Sequence, residues 1–316
     1  MTSVPVPAAR RVSVVEAARE AIDHTQRTLF PFRFERWLAL GFLAFLEQCG
    51  RGGGVSSPPT HWPGNTSGGG PDLGGALGWL SEHAVVVALA AGLLLAVVVA
   101  LTALALWIGS RGIFMYLDNV ASGRVDVGRA WQEHADRAAS LFAWRFTLAA
   151  GTLVGVLLFA VLVAAVVVGS AGQVRLAAGI TLLVLVPFFL ALVCFAALAS
   201  VALRDFVAPL QLRLGLPCGD AIGVLWGLVR ERKGTFLGYV GAKILFSMAA
   251  GSALLMACCV CCCAALPVVG QTLLQPLFYF ERAWSLCLLR QLGYDLIAGT
   301  AAPAVDATGP LDPESE

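Results

Sequence analysis

The chain has 316 residues and a net charge of +1, and it is 58% hydrophobic against only 13% charged. Soluble domains run about half apolar and about a quarter charged, so too little polar surface remains to cover a water-soluble particle. A charge this near zero also excludes a general attraction to nucleic acid or to acidic partners.

Residues 1–12 read as a disordered N-terminus. Arg10, Arg11, Arg19 and Arg27 are interspersed with acids, and no uninterrupted apolar run follows before Trp37, so no cleavable signal peptide is expected. Over residues 13–30, Val15, Ala18, Ile22, Thr25 and Leu29 share one helical face while Glu16, Arg19, Glu20, Asp23 and Arg27 lie elsewhere. That pattern predicts an amphipathic helix on the membrane surface. A first span is predicted over Phe34–Gln48, centred on Trp37–Leu46, and a re-entrant segment stays open there. Residues 50–77 are rich in Gly, Ser and Pro and predict an outer loop.

The second span is predicted at 82–109. A second surface helix follows over 126–140, with Val127, Trp131, His134 and Ala138 in one seam. The third span covers 141–168, and the turn Gly169–Arg175 leads to a fourth at 177–203, where Pro187 is expected to kink the helix. Residues 217–232 predict a third surface helix with Ile222, Leu225 and Val229 aligned. The fifth span is predicted at 235–262. Pro267 and Gly270 break the chain before a sixth span at 271–290, interrupted by Pro276. The segment 297–316, rich in Ala, Pro and acids, predicts a disordered tail.

The runs Ala84–Gly109, Phe146–Gln173, Leu176–Leu203 and Ile244–Tyr279 carry no charged side chain. Each exceeds the roughly 20 apolar residues that span a hydrocarbon core as a helix. A backbone in lipid must satisfy its own hydrogen bonds, and runs that are continuous rather than alternating select helices over a barrel. The expected fold is therefore all-α. It is a polytopic integral membrane helical bundle with about six transmembrane helices and three cytoplasmic-side surface helices, in one domain over 13–296.

Nineteen of the twenty-one Lys and Arg fall on one side of this layout, and only Arg51 and Arg175 fall on the other. The positive-inside rule then puts both termini in the cytoplasm, and the expected location of the chain is the plasma (inner) membrane. Surface helix, span, outer turn and span recur from near residues 13, 126 and 217. Each recurrence has an aromatic and basic entry: Phe32-Arg33-Phe34, Trp144-Arg145-Phe146, and Lys233 with Phe236. A parallel three-fold repeat and the ordinary use of such anchors both fit.

Two groups of residues stand out chemically. Cys258, Cys259, Cys261, Cys262 and Cys263 bracket Val260, with C-x-x-C spacing recurring as Cys258/Cys261 and Cys259/Cys262. Such thiolates bind soft metals or cycle as disulfides. No His lies nearby, and thiols in apolar surroundings stay protonated and pack as small hydrophobes, which is the reading adopted. The second group is polar and intramembrane. At about 100° per residue, Gln271, Gln275, Arg282 and Ser285 share one face of the sixth helix, with Glu281 flanking it. Tyr239, Lys243 and Ser247 form a stripe on the fifth.

Charges at mid-bilayer are costly and face partners or water, although long stems also let Lys243 and Arg282 snorkel. Lys243 and Glu281 fall at similar depth on neighbouring antiparallel helices, which predicts an ion pair. Gly151-x-x-x-Gly155, Asn65-Thr66-Ser67 and the four scattered histidines are weaker signals, and no zincin, P-loop, Rossmann or nucleophile-elbow string occurs.

Three local patterns carry a family resemblance. They are Leu29-Phe30-Pro31-Phe32 leading to Trp37 and Leu40-Gly41-Phe42, then Asp205-Phe206-Val207-Ala208-Pro209, and then Cys261-Cys262 followed by Pro267, Pro276, Phe280, Arg282 and Ser285-Leu286. On these the chain resembles an uncharacterised family of prokaryotic multi-pass membrane proteins. From Phe206 to Phe236 it is also similar in layout to the membrane domain attached to some glycerophosphodiester phosphodiesterases. That resemblance implies architecture and transfers no catalytic residue.

The expected function is a non-enzymatic structural or accessory protein of the cell envelope. Its partners would be the lipid bilayer and a membrane protein or a second copy of itself, without cofactor or nucleic acid. A transporter or channel for a small solute or lipid, using the polar faces of the last two helices, is the alternative. A membrane thiol redox or metal-handling protein is the third.

Overall fold

The computed structural model describes residues 12–49, 78, 82–123, 127–169, 175–260, 266 and 268–297. Among them there is no strand. The elements are α1 (Val14–Leu29), α2 (Phe34–Gln48), α3 (Ala84–Ser122), α4 (Val127–Glu133), α5 (Ala135–Gly169), α6 (Arg175–Ala202), a π turn (Leu203–Val207), α7 (Ala208–Leu214), α8 (Cys218–Glu231), α9 (Lys233–Val260), α10 (Val269–Leu273) and α11 (Gln275–Gln291).

Four stretches among the described residues are long and apolar enough to cross a membrane: Ala84–Ser122, Ala135–Val166, Leu183–Leu214 and Lys233–Cys259. Helix α2 has 15 residues and α11 has 17, short of the roughly 20 that a bilayer core demands. The expected loop at 50–77 and the tail beyond 297 lie outside the described residues.

Helix α1 starts at Ser13, whose hydroxyl accepts a hydrogen bond from the Glu16 amide at 3.3 Å. Glu16 in the first turn and Arg27 in the last oppose the helix dipole. Its buried face differs from the expected one. Ala17, Ala21, Thr25 and Leu29 are covered, while Val15 is 64% and Ile22 45% exposed. Packing on α11 is the reason, because two alanines allow a close approach that larger aliphatics would prevent. The contact is closed by Trp284 Nε1 donating to the Val14 carbonyl at 3.1 Å and by Arg290 pairing with Glu20 at 2.7 Å.

The other two expected surface helices also meet the structure unevenly. The segment 126–140 divides at His134 into α4 and the start of α5, so the expected seam is not one helix. Within it His134 and Ala138 are buried, and the Arg111 guanidinium stacks between Trp107 and Trp131 at 4.8 Å from each ring. Helix α8 covers Cys218, Ala221 and Leu225, with Ile222 and Val229 half-buried beside them.

The buried side chains collect at one end. In α3 the stretch from Ile113 to Leu117 is covered, while Val85, Leu89 and Leu93 are all about 70% exposed. The covered half packs against α1, α2, α5, α7 and α11, and Leu43, Leu141, Leu210, Ala221 and Leu286 belong to one core. Gly112 makes part of this possible. A Cβ there would stand 2.6 Å from the Glu47 amide nitrogen, so only glycine lets the end of α2 lean on α3.

Candidate functional site

The π turn is where the site begins. Pro209 has no N–H, and in a regular helix its ring would press on the carbonyl of residue 205. The chain widens instead over Leu203–Val207, with the Ala208 amide donating to the Leu203 carbonyl, five residues back. Such bulges re-aim side chains. Here consecutive Arg204 and Asp205 both end up buried inside the bundle, at 7% and 1% exposure.

They meet four further charges. Glu47 comes from the last turn of α2, Lys243 from α9, and Glu281 and Arg282 from α11; all are buried. Glu47 Oε1 accepts from Arg204 Nε and, at 2.5 Å, from Arg282 Nη2. Glu281 Oε1 takes Arg204 Nη1 and Lys243 Nζ, each at 2.9 Å. Lys243 Nζ also donates to Asp205 Oδ2 at 2.7 Å. Tyr239 lies one helical turn before Lys243, and its hydroxyl donates to the same oxygen at 2.9 Å. Arg282 Nη1 donates to the Arg204 carbonyl at 2.7 Å, which ties α11 to the backbone of the π turn.

Three acids and three bases make the cluster neutral. Each charge pairs with at least one of opposite sign, which offsets the large cost of taking it out of water. Two atoms are left over. Asp205 Oδ1 and Arg282 Nε are buried without a hydrogen-bond partner, and that oxygen stands 3.8 Å from Arg204 Nε and 4.0 Å from Arg282 Nη1.

The sequence-derived residues distribute as follows. Lys243, Glu281 and Arg282 come together in the cluster. Gln275 is buried but apart from it, donating to the Tyr116 hydroxyl at 2.9 Å. Gln271 sits on α10, separated from α11 by the turn at Leu274, so the expected continuous face from Gln271 to Ser285 is not formed. The break falls before Pro276, which occupies the first turn of α11, where a missing N–H costs nothing. Cys258 is half-buried and Cys259 exposed near the end of α9, whereas Cys261, Cys262 and Cys263 lie outside the described residues. Among the described residues no group of three or more His, Cys, Asp or Glu side chains is placed to hold a metal.

Glu47, Arg204 and Asp205 escape the sequence reading as site residues. The available signals are an acid directly after the apolar run Trp37–Leu46 of α2 and an Arg-Asp pair ahead of Pro209.

Beside the cluster runs a groove of about 560 Å³ between α2, α3, α5 and α6. Glu47, Arg204 and Arg145 lie at its polar end, and Ala149, Ala196 and Val193 are among its apolar walls. Arg145 Nη1 donates to the Ser110 hydroxyl at 3.1 Å.

A family model described as a family of unknown function (DUF7544) matches residues 12–302. No curated protein and no solved structure matches the chain. The likeness to the membrane domain of glycerophosphodiester phosphodiesterases therefore rests on the sequence strings alone.

Proposed function

The chain belongs to this family of unknown function, and from that premise we propose that it is a non-enzymatic structural or accessory protein of the cell membrane. The observation that carries the reading is the neutral cluster, in which every charge is paired with one of opposite sign. Its charges come from α2, the π turn, α9 and α11, and they are spent on one another. A catalytic or transport site keeps ionisable groups available for something else; this one reads as a lock between helices.

The reading includes six crossings of the membrane, and the connectivity among the described residues supports it. His24 and Tyr279 both reach the Val120 carbonyl, and Ser13 bonds Gln291, so α1 and α11 sit at the Ser122 end of α3. Cys218 bonds Ser140, which places the α8 connection at that end too. Cys49 lies against Gly109, roughly 38 Å along α3 from Ala84 at 1.5 Å per residue. With two returns beside the four long helices, both termini would lie on one side. That side holds nearly all the Lys and Arg, which favours the cytoplasm, with α1, α4 and α8 as the surface helices.

Topology and role are tested separately. In a background without reactive native thiols, cysteines at Ser56 or Ser67 should label from outside intact cells, and cysteines at Ser3 or Ser122 should not. Labelling at Ser122 alone would reverse the orientation. For the role, a Lys243→Met/Glu281→Leu variant keeps the cluster neutral and should restore a deletion strain's envelope integrity, read as detergent sensitivity. A variant that folds but fails to restore it would move the cluster from lock to transport site.

A further inference from the structure

The groove is polarised along its length, and both of its main walls agree on the direction. On α5 the lining runs Arg145, Leu148, Ala149, Thr152; on the neighbouring helix it runs Arg204, Val201, Ala197, Val193. Each is a stripe at the three-to-four-residue spacing of one helical face. In each the charge stands at the cored end and the aliphatic side chains follow. Val193 is 40% exposed while lining the groove, so the opening faces the same apolar surface as Leu190 and Val154. From Val193 to Arg204 the wall runs for about 16 Å at 1.5 Å per residue.

The sign of the polar end is also defined. Glu47 and Arg204 belong to a cluster whose charges cancel. Arg145, half-buried, lies outside that cluster, so the lining holds two arginines, Arg145 and Arg204, against one acid, Glu47. Trp144, adjacent in sequence, is 47% exposed, and exposed tryptophans mark the headgroup level of a bilayer. Arginine presents a planar fork that matches phosphate oxygens.

We infer that this groove binds one anionic phospholipid from the surrounding bilayer, its phosphate at Arg145 and one acyl chain along α5 and α6. The inference rests on the membrane reading above. Thr152 lines that path, and the buried Ser110 hydroxyl accepts from the Arg145 guanidinium and so helps to fix it. A zwitterionic lipid offers Arg145 a phosphate but adds a cation that the positive groove disfavours.

The test uses the full chain, purified from membranes in a mild detergent, with native mass spectrometry as the readout. The probes are phosphatidylglycerol, phosphatidylcholine, oleate and inorganic phosphate. One phosphatidylglycerol per chain should be retained, outcompeting the other three. Arg145→Gln should weaken retention about tenfold, the loss of a charge-assisted hydrogen bond, and Arg145→Lys should recover part of it. Ala196→Phe, which fills the apolar slot without touching the charge, should displace the lipid as well. Equal retention of phosphatidylcholine, preference for oleate, or unchanged binding in both Arg145→Gln and Ala196→Phe would overturn the assignment. Release of the chain by alkaline carbonate would instead overturn the membrane reading itself, whereas membrane retention without lipid selectivity would sink this inference alone.

Discussion

The two ends of this molecule are held by different physics. From Ala84 to about Ala105 on α3, and along the matching halves of α5, α6 and α9, aliphatic side chains point outward and little is buried. From Leu106 to Ala121 and the elements around it, nearly everything is covered, and six charges sit among the covered groups. In lipid an outward Leu costs nothing, and helices gain no hydrophobic drive by associating. Specific pairing must then come from close backbone approach and polar contacts. The cored end supplies both, through Gly112 and the alanines of α1 and through the ion cluster. The contrast implies that one end sets which helices are neighbours, while the other holds them at the right depth.

Several measurements would break or sharpen that contrast. The largest expected effect is Arg282→Met. It withdraws a fully buried cation from Glu47 and should cost about 3–5 kcal/mol of unfolding free energy, the range for stripping one partner from a buried pair. Leu158→Ala at the exposed end should stay within about 0.5 kcal/mol. Denaturant unfolding of both variants in one detergent checks this, and equal losses would erase the distinction between the ends.

The next effect is a coupling. Lys243→Met and Glu281→Leu should each lower the melting temperature, and the double variant should lose less than the two losses added together, because its remaining two acids and two bases still cancel. The double-mutant cycle reads that term directly. Strict additivity would mean that the 2.9 Å contact between them carries no energy.

The smallest effect is one of pH, and it also belongs to the cored end. His24 on α1 lies 3.1 Å from the Val120 carbonyl and 3.2 Å from the Tyr279 hydroxyl. Burial holds its imidazole below the ordinary 6.5; the hydrogen bond to Val120 opposes this, and Arg290 and Arg27 push it further down. The unfolded chain therefore takes up this proton first as pH falls. Stability is full above 6.5 and is lost as pH drops from there through the lower folded value. His24→Gln should flatten the dependence of melting temperature on pH between 7.5 and 5; an unchanged slope would show that His24 is not its source.

What could be read in the sequence follows from what each signal depends on. The limits of α1 and α2 are legible because they are local: Ser13 with Glu16 caps one helix, Pro31 interrupts the chain, and Trp37 to Leu46 is a single apolar block. The proximity of Lys243 and Glu281 is legible because depth and antiparallel order survive without atomic detail. The partners Arg204 and Asp205 are not, because 100° per residue stops holding at the π turn. Glu47 is hidden for a different reason. Its neighbours depend on how α2 leans on Gly112, and glycine in an apolar run carries no sign of which element will approach it. Gln271 stands on α10 rather than α11 because the break falls at Leu274, a residue with no turn preference.

The π turn also has a consequence for phase. In a regular helix the direction of any side chain dictates the direction of every other, however far along the rod. The residue gained across Leu203–Val207 slips that register once, at a fixed place. The stretch from Leu183 to Ala202 can therefore orient toward its surroundings independently of how Arg204 and Asp205 aim inward. The element is two rods joined with a set offset, and a helical wheel drawn through Leu183–Leu214 as one rod describes neither of them.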